Sequence, residues 1–238
     1  MNIAVILAGG QGKRLHDYSR PKQFLEFRGK PIVVYTMEVF QRCSAIDGIV
    51  VACLEDWIPY LRSKIAQFNL SKVVDVVPGG ATGQDSIYNA LTCVEKLYPA
   101  DTLMLVHDGV RPLVTEKAIM ECISVAQTGG NCAVCVPALE TVVVRQPGGM
   151  MDVPDRANAL VARAPQCFPL GKLLSAHRQA IEEGIHNFVD SCSMMHHYGH
   201  SFHTVIGAME NIKLTTPADY FMFRAIMEAR EEGAVFGL

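Results

Sequence analysis

Short apolar runs alternate along the chain with segments whose apolar residues recur every three or four positions. The runs at 3–7, 48–53, 73–77, 102–107, 132–137 and 203–206 read as strands. The periodic segments at 32–42, 57–68, 85–97, 116–127, 170–183 and 217–232 read as helices. Strands that alternate with helices predict one α/β domain over 1–238, a mostly parallel sheet with helices on both faces. Ligands of such sheets bind beyond the carboxyl ends of the strands.

One stretch breaks the rhythm. Thr141-Val142-Val143-Val144-Arg145 is β-like, Gln146-Pro147-Gly148-Gly149 is a turn signal, and Leu160-Val161-Ala162 reads as a return strand. Residues at about 140–163 are therefore expected to form a β-arm projecting from the sheet. The last residues, 231–238, are expected to fray.

Composition narrows the functional classes. A net charge of -3 argues against general nucleic-acid binding, which shows a basic surplus. No apolar run is long enough to span a membrane, and the N-terminus lacks a signal-peptide pattern. The eight cysteines are scattered through apolar segments such as Val51-Ala52-Cys53-Leu54, as expected for reduced, buried thiols in the cytoplasm.

Chemistry concentrates in a few stretches. The first strand runs into Gly9-Gly10-Gln11-Gly12 and then Lys13-Arg14, with Lys22 a few residues on. Glycines let backbone N–H groups approach a phosphate, and the cations supply charge, so the stretch predicts a polyphosphate site. It is not a P-loop, because the Gly-Lys-Ser/Thr ending is missing. It is not a dinucleotide fingerprint either, because Leu15 stands at the third glycine position.

Gly79-Gly80-Ala81-Thr82-Gly83-Gln84-Asp85-Ser86 is a second glycine loop, in which Asp85 or Ser86 is expected to cap the next helix. In Val106-His107-Asp108-Gly109-Val110-Arg111-Pro112 the aspartate could serve Mg²⁺ or pair with Arg111. Thr216-Pro217 has the form of a helix start, which leaves Lys213 without a role. His196, His197, His200 and His203 lack the partners of a zinc site. Cys132 and Cys135, three apart in a strand, point to opposite faces.

Leu-Ala-Gly-Gly-x-Gly-x-Arg followed by Pro-Lys-Gln-Phe-Leu resembles the signature of nucleotidyltransferases that activate sugar or polyol phosphates. His-Asp-x-x-Arg-Pro at 107–112, Pro-Gln-x-Phe at 165–168 and the segment 210–219 extend the likeness over nearly the whole chain. The branch it resembles is that of the ribitol 5-phosphate and 2-C-methyl-D-erythritol 4-phosphate cytidylyltransferases. The resemblance implies a Rossmann-like fold of the nucleotide-diphospho-sugar transferase type. It also implies transfer of CMP from CTP to a polyol phosphate, giving a CDP-polyol and pyrophosphate.

By the same resemblance Arg14, Lys22 and Lys213 are catalytic. Leu7, Ala8, Gly9, Gly10, Gly12, Gly79, Gly80, Asp85, Ser86 and Gly109 hold the nucleotide. Asp108, Thr141 and Arg156 hold the polyol phosphate, Asp108 and Glu210 hold Mg²⁺, and the arm joins two chains into a homodimer in which Arg156 reaches across. The chain departs from the pattern at Gly83, where many relatives carry arginine, at Ala164, where threonine is usual, and at Glu210, where aspartate is frequent.

The Ile-Leu-Ala-Gly-Gly opening points to D-ribitol 5-phosphate as acceptor, with the methylerythritol enzyme of isoprenoid biosynthesis as the alternative. Two other classes stay open. A nicotinamide oxidoreductase would bind NAD(H), and a catalytically silent nucleotide-binding protein would bind CTP without releasing pyrophosphate.

Overall fold

The computed structural model describes residues 1–10 and 20–236. In chain order the elements are β1 (Asn2–Ala8), β2 (Glu26–Phe27), β3 (Lys30–Pro31), α1 (Ile32–Arg42), β4 (Gly48–Cys53), α2 (Ile58–Gln67), β5 (Val73–Pro78), α3 (Gly83–Glu95) and β6 (Leu103–Asp108). They continue with α4 (Glu116–Gly129), β7 (Cys132–Pro137), β8 (Val144–Arg145), β9 (Met151–Asp152), β10 (Leu160–Pro169), α5 (Leu170–Glu182), α6 (Ser191–His197), β11 (His203–Ile206) and α7 (Pro217–Phe236).

Seven strands form one sheet in the order β11-β7-β10-β6-β1-β4-β5. All neighbours run parallel except at β10, which is antiparallel to both β6 and β7. Alternate residues of each strand feed two separate cores, because successive side chains leave a strand on opposite faces. On one face Ala4, Ile6, Ile49, Val51, Leu105 and Cys132 pack with α1, α2 and α4. On the other Ile3, Val5, Val50, Met104, Phe168 and Cys135 pack with α3, α5 and α6. Cys132 and Cys135 thus part to opposite cores, as their spacing requires. All eight cysteines are free, and burial pushes the Cys53 thiol up to about 12.

Apolar periodicity locates the regular elements closely; α1, β4, β7 and β11 have the predicted bounds. Three local expectations are corrected. The cap of α3 is Thr82, whose hydroxyl accepts from Asp85 N at 3.0 Å while Asp85 accepts from Thr82 N at 3.1 Å. Asp85 completes a capping box, and Ser86 lies inside the helix. The arm pairs only as β8 with β9, shorter than the run at 141–145 suggests. The return strand is ten residues long and enters the middle of the sheet. Its pattern is obscured by Arg163-Ala164-Pro165, where the ladder with β7 shifts register between Ala162 and Gln166. A proline, which cannot donate to the ladder, belongs at such an irregularity.

A third apolar cluster of Phe27, Ile32, Leu113, Leu214 and Phe223 joins α7 to the β2–β3 hairpin. Phe223 meets the rings of Phe27 and Tyr35 at 5.5 and 5.7 Å. This cluster, with Leu214 N donating to Val110 O at 2.9 Å, holds the segment carrying Lys213 against the end of β6. Among the described residues no helix is long and apolar enough to cross a membrane.

Candidate active site

Beyond the carboxyl ends of the parallel strands the backbone turns away without side chains in the way. Gly9 and Gly10 follow β1, and Gln23, fully buried, donates from Nε2 to Ala8 O at 2.7 Å and Gly10 O at 3.0 Å. The next ring, Phe24, stacks on Trp57 at 4.6 Å and fixes the turn that carries Lys22 and Gln23. The second loop is tied by Ser86, whose hydroxyl accepts from Gly80 N at 3.0 Å and donates to Thr82 O at 2.8 Å. A Cβ on Gly80 would collide with Asp85, and one on Gly109 would lie 2.8 Å from Leu7 O. Glycine is therefore needed at both places for the loops to close on one another.

Between the loops lies a cavity of about 420 Å³, walled by Gly9, Gly10, Lys22, Gly80, Ser86 and Lys213 among others. Leu7 and Asp108 also line it. Ala8, Gly79, Asp85 and Gly109 are not part of its wall. Ala8 gives its carbonyl to Gln23, Gly79 N donates to Cys53 O at 2.6 Å, Asp85 caps α3, and Gly109 N donates to Leu7 O at 2.9 Å. Gly12 and Arg14 lie outside the described residues.

Asp108 is the electrostatic centre. One carboxylate oxygen accepts from Lys213 Nζ at 2.7 Å and the other from Arg111 Nε at 2.8 Å. Burial alone would raise its pKa, but Lys213 and Arg111 outweigh that and hold the carboxyl at about 2. Arg111, left between two roles by the sequence, is a buried strut: its Nη1 also donates to Asn211 O at 2.9 Å, and Asn211 Nδ2 donates to Ala164 O at 2.7 Å. The chain after β11 is thereby bound to β10, and Lys213 is aimed at the cavity. Such a wall, with glycine backbone on one side and oriented ammonium groups on the other, accepts a polyphosphate.

The model of the IspD family, 2-C-methyl-D-erythritol 4-phosphate cytidylyltransferase, matches residues 2–229. The chain belongs to this family. It is therefore a nucleotidyltransferase. It is 45% identical, over an alignment of 239 positions that covers all of both chains, to a protein of Streptococcus agalactiae named ribitol-5-phosphate cytidylyltransferase. It is 35% identical over 228 residues, 95% of this chain and 97% of the other, to a 2-C-methyl-D-erythritol 4-phosphate cytidylyltransferase of Clostridium botulinum. Its fold is also that of the 4-diphosphocytidyl-2C-methyl-D-erythritol synthase structure from Anaerococcus prevotii, with a TM-score of 0.80 at 21% identity, covering 95% of this chain and 96% of that one.

In this cytidylyltransferase a second cavity of about 330 Å³ adjoins the first. Both are lined by Leu7, Gly83, Asp108 and Lys213, so Lys213 stands at their junction. Ala164 lies in the wall of the second, and among the described residues nothing lies within 4 Å of where a Cβ on Gly83 would be. Of the departures from the family pattern, Gly83 thus leaves space at this junction, and Ala164 puts a small side chain in the wall of the second cavity.

Some expected site residues are not brought together. Thr141 and Arg156 are exposed on the arm and line neither cavity, and Arg156 Nη1 donates to Leu139 O at 3.4 Å. Glu210 is exposed and likewise lines neither, so it does not form a two-carboxylate pair with Asp108. Among the described residues no group of three His, Cys, Asp or Glu side chains gathers around a metal position, the four clustered histidines included. Among the described residues Asp108 alone presents a carboxylate to the glycine-lined cavity. One carboxylate is compatible with Mg²⁺ that arrives on substrate phosphates.

Sequence reasoning passed over Gln23 as a clamp, and over Asn211, Arg163, His177 and Ser191. Gln23 lay inside a quoted motif. Asn211 lay in the matching segment 210–219, and Arg163, His177 and Ser191 carried no signal, being single polar residues in apolar or irregular segments.

Proposed function

We propose that this cytidylyltransferase transfers CMP from CTP to D-ribitol 5-phosphate. The observation that carries the transfer is the placement of Lys22 and Lys213 on the wall of a glycine-lined cavity, with Asp108 orienting Lys213. An oxygen of the acceptor phosphate forms a bond to the α-phosphorus of CTP while the α–β bridging bond breaks and pyrophosphate leaves. The attacking oxygen is already anionic, so no strong general base is needed. Repulsion between anions is the chief barrier, and fixed positive charge lowers it. Lys22 and Lys213 supply that charge, and Arg14 is assigned the same role by the family motif. When bound, Mg²⁺ would neutralise phosphate oxygens, with Asp108 as the carboxylate that holds it.

The acceptor reading is supported by the ribitol name of a relative at 45% identity against the methylerythritol name of one at 35%. The family model keeps 2-C-methyl-D-erythritol 4-phosphate as the second reading. The acceptor phosphate is further assigned to Thr141 and Arg156 of a second copy, since the arm of one chain holds them away from its own cavities. The free, mostly buried thiols suit a reducing compartment, and the cytoplasm is the proposed location.

The test is pyrophosphate release with CTP and Mg²⁺, with D-ribitol 5-phosphate and 2-C-methyl-D-erythritol 4-phosphate offered separately. Rapid release with the first is expected. Release with the second alone would transfer the assignment to the methylerythritol enzyme. CTP binding with no release across a panel of polyol phosphates would mark a silent nucleotide-binding protein.

A further inference from the structure

Asp108 carries two cations, and they are held in unlike ways. Arg111 is 10% exposed and is bound twice, from Nε to Asp108 Oδ2 at 2.8 Å and from Nη1 to Asn211 O at 2.9 Å. Its backbone N also donates to Asp108 O at 3.0 Å, which closes the turn around the pair. Lys213 is 43% exposed, and among the described residues its ammonium makes one polar contact, to Asp108 Oδ1 at 2.7 Å. The backbone beside it is fixed, because Leu214 N donates to Val110 O at 2.9 Å. The ammonium stands on a flexible four-carbon stem, so it can swing while its Cα stays in place.

Position sharpens the difference. Arg111 lines the second cavity only, whereas Lys213 and Asp108 line both. While the pair is closed, each charge cancels the other, and the glycine-lined cavity receives little of the charge of Lys213. A divalent cation seeks carboxylate oxygens. Of the two on Asp108, the one held by Arg111 is locked through the bond to Asn211, and the one held by Lys213 has no such lock. A dication and an ammonium on the same oxygen repel at close range, so one excludes the other.

Resting on the CMP-transfer reading above, we propose that Lys213 is a parked cation, released by exchange. In the free enzyme it is the counter-ion of Asp108, and it gives up Oδ1 to the Mg²⁺ that arrives with CTP. Arg111 stays and keeps the carboxylate in place. The released ammonium turns into the glycine-lined cavity, whose wall it already forms, and donates to phosphate oxygens. The charge of Lys213 is therefore delivered only when metal and nucleotide are both present.

The experiment follows the Lys213 amine in the full-length protein, reductively methylated with ¹³C-formaldehyde and observed by NMR. Lys213→Arg and Lys22→Arg identify the two resonances by their loss, and Lys22, on the same cavity, reports the nucleotide. With CTP in EDTA the Lys213 signal is expected to stay where it is in the free protein. Adding Mg²⁺ to that sample is expected to move it, toward the position it already has in Asp108→Asn. A Lys213 signal that moves with CTP in EDTA, or that ignores Mg²⁺ and CTP together while Lys22 responds, overturns the proposal and leaves the transfer reading standing. Equilibrium dialysis of CTP adds a charge-matched check, with the pair removed whole in Asp108→Asn/Lys213→Met. This variant is expected to bind CTP within about twofold of wild type in EDTA and about tenfold or more weaker in Mg²⁺, the size of a lost charged hydrogen bond. Equal weakening in both conditions would show Lys213 serving the nucleotide without the metal, and would also overturn the proposal. If the wild type binds no CTP with or without Mg²⁺, the transfer reading fails and takes this inference with it.

Discussion

Asp108 and Lys213 come from distant parts of the chain and meet at 2.7 Å. Removal of Lys22 or Lys213 takes away preorganised charge, and Lys22→Ala and Lys213→Ala are each expected to lower kcat by on the order of a hundredfold. Steady-state assays at saturating CTP and acceptor measure this; full turnover by Lys22→Ala would remove it from the catalytic set. The ionisations also predict how the fold responds to acid. His107 and His177 have folded pKa values of about 4, below the ordinary 6.5, because burial disfavours the charged ring. The unfolded chain binds those protons first, so stability is whole above about 6.5 and falls as pH drops toward 4, by up to about 1.4 kcal/mol per pH unit for each ring. Asp108, also lowered, gives way only below the ordinary carboxylate range, toward 2. Urea midpoints at several pH values between 7 and 4 are expected to decline across the histidine window; a flat profile would contradict it. The residue types of the site were legible in the sequence because the motifs are local. The pairing of Asp108 with Lys213 was not, since nothing local links them.

The glycine loop depends on one neighbouring element. The short turn Lys22–Phe24 places Gln23 where its amide donates to Ala8 and Gly10. Gln23→Leu keeps much of the volume but leaves those carbonyls unmatched, at an expected cost of about 1–3 kcal/mol. The same variant is expected to raise the KM for CTP, because the loop loses its tether; thermal melting and CTP titration together check both effects. Among the elements, the alternating strands and helices were legible because each buries a stripe or face with its own period. β10 was legible only at its beginning. It is antiparallel, interrupted by Pro165, and buried through neighbours far off in sequence. α6 escaped notice because it is seven residues long, too short for a periodic signal, and is started by the Asp190–Ser193 capping box.

For the whole molecule, the arm is the feature that a single chain leaves incomplete. Val143, Val144, Met150, Met151 and Val153 are all exposed on it, an apolar surface of the kind that seeks a partner. In the proposed homodimer this surface is covered by its twin. Sedimentation velocity is expected to show a dimer, and Val144→Lys to shift it toward monomer. If Arg156 acts across the interface, Arg156→Ala and Lys213→Ala chains, each poorly active alone, regain activity when mixed and reassembled, because one hybrid site then holds both native residues. Failure to regain activity, with mixed dimers present, would place Arg156 outside the acceptor site.

Local chemistry was written along the chain. Apolar periodicity set the strands and helices, glycines marked the loops beyond β1 and β5, and the motif residues Lys22, Asp108 and Lys213 announced a phosphate site. Such signals survive in a linear string because each depends on neighbours within a turn or two. The insertion of β10 between β6 and β7, the strut through Arg111 and Asn211, and the second cavity with its unmatched His177 and Ser191 had no such signal. They arise where segments far apart in sequence are packed together, and a polar side chain's partner, or lack of one, exists only after that packing is complete.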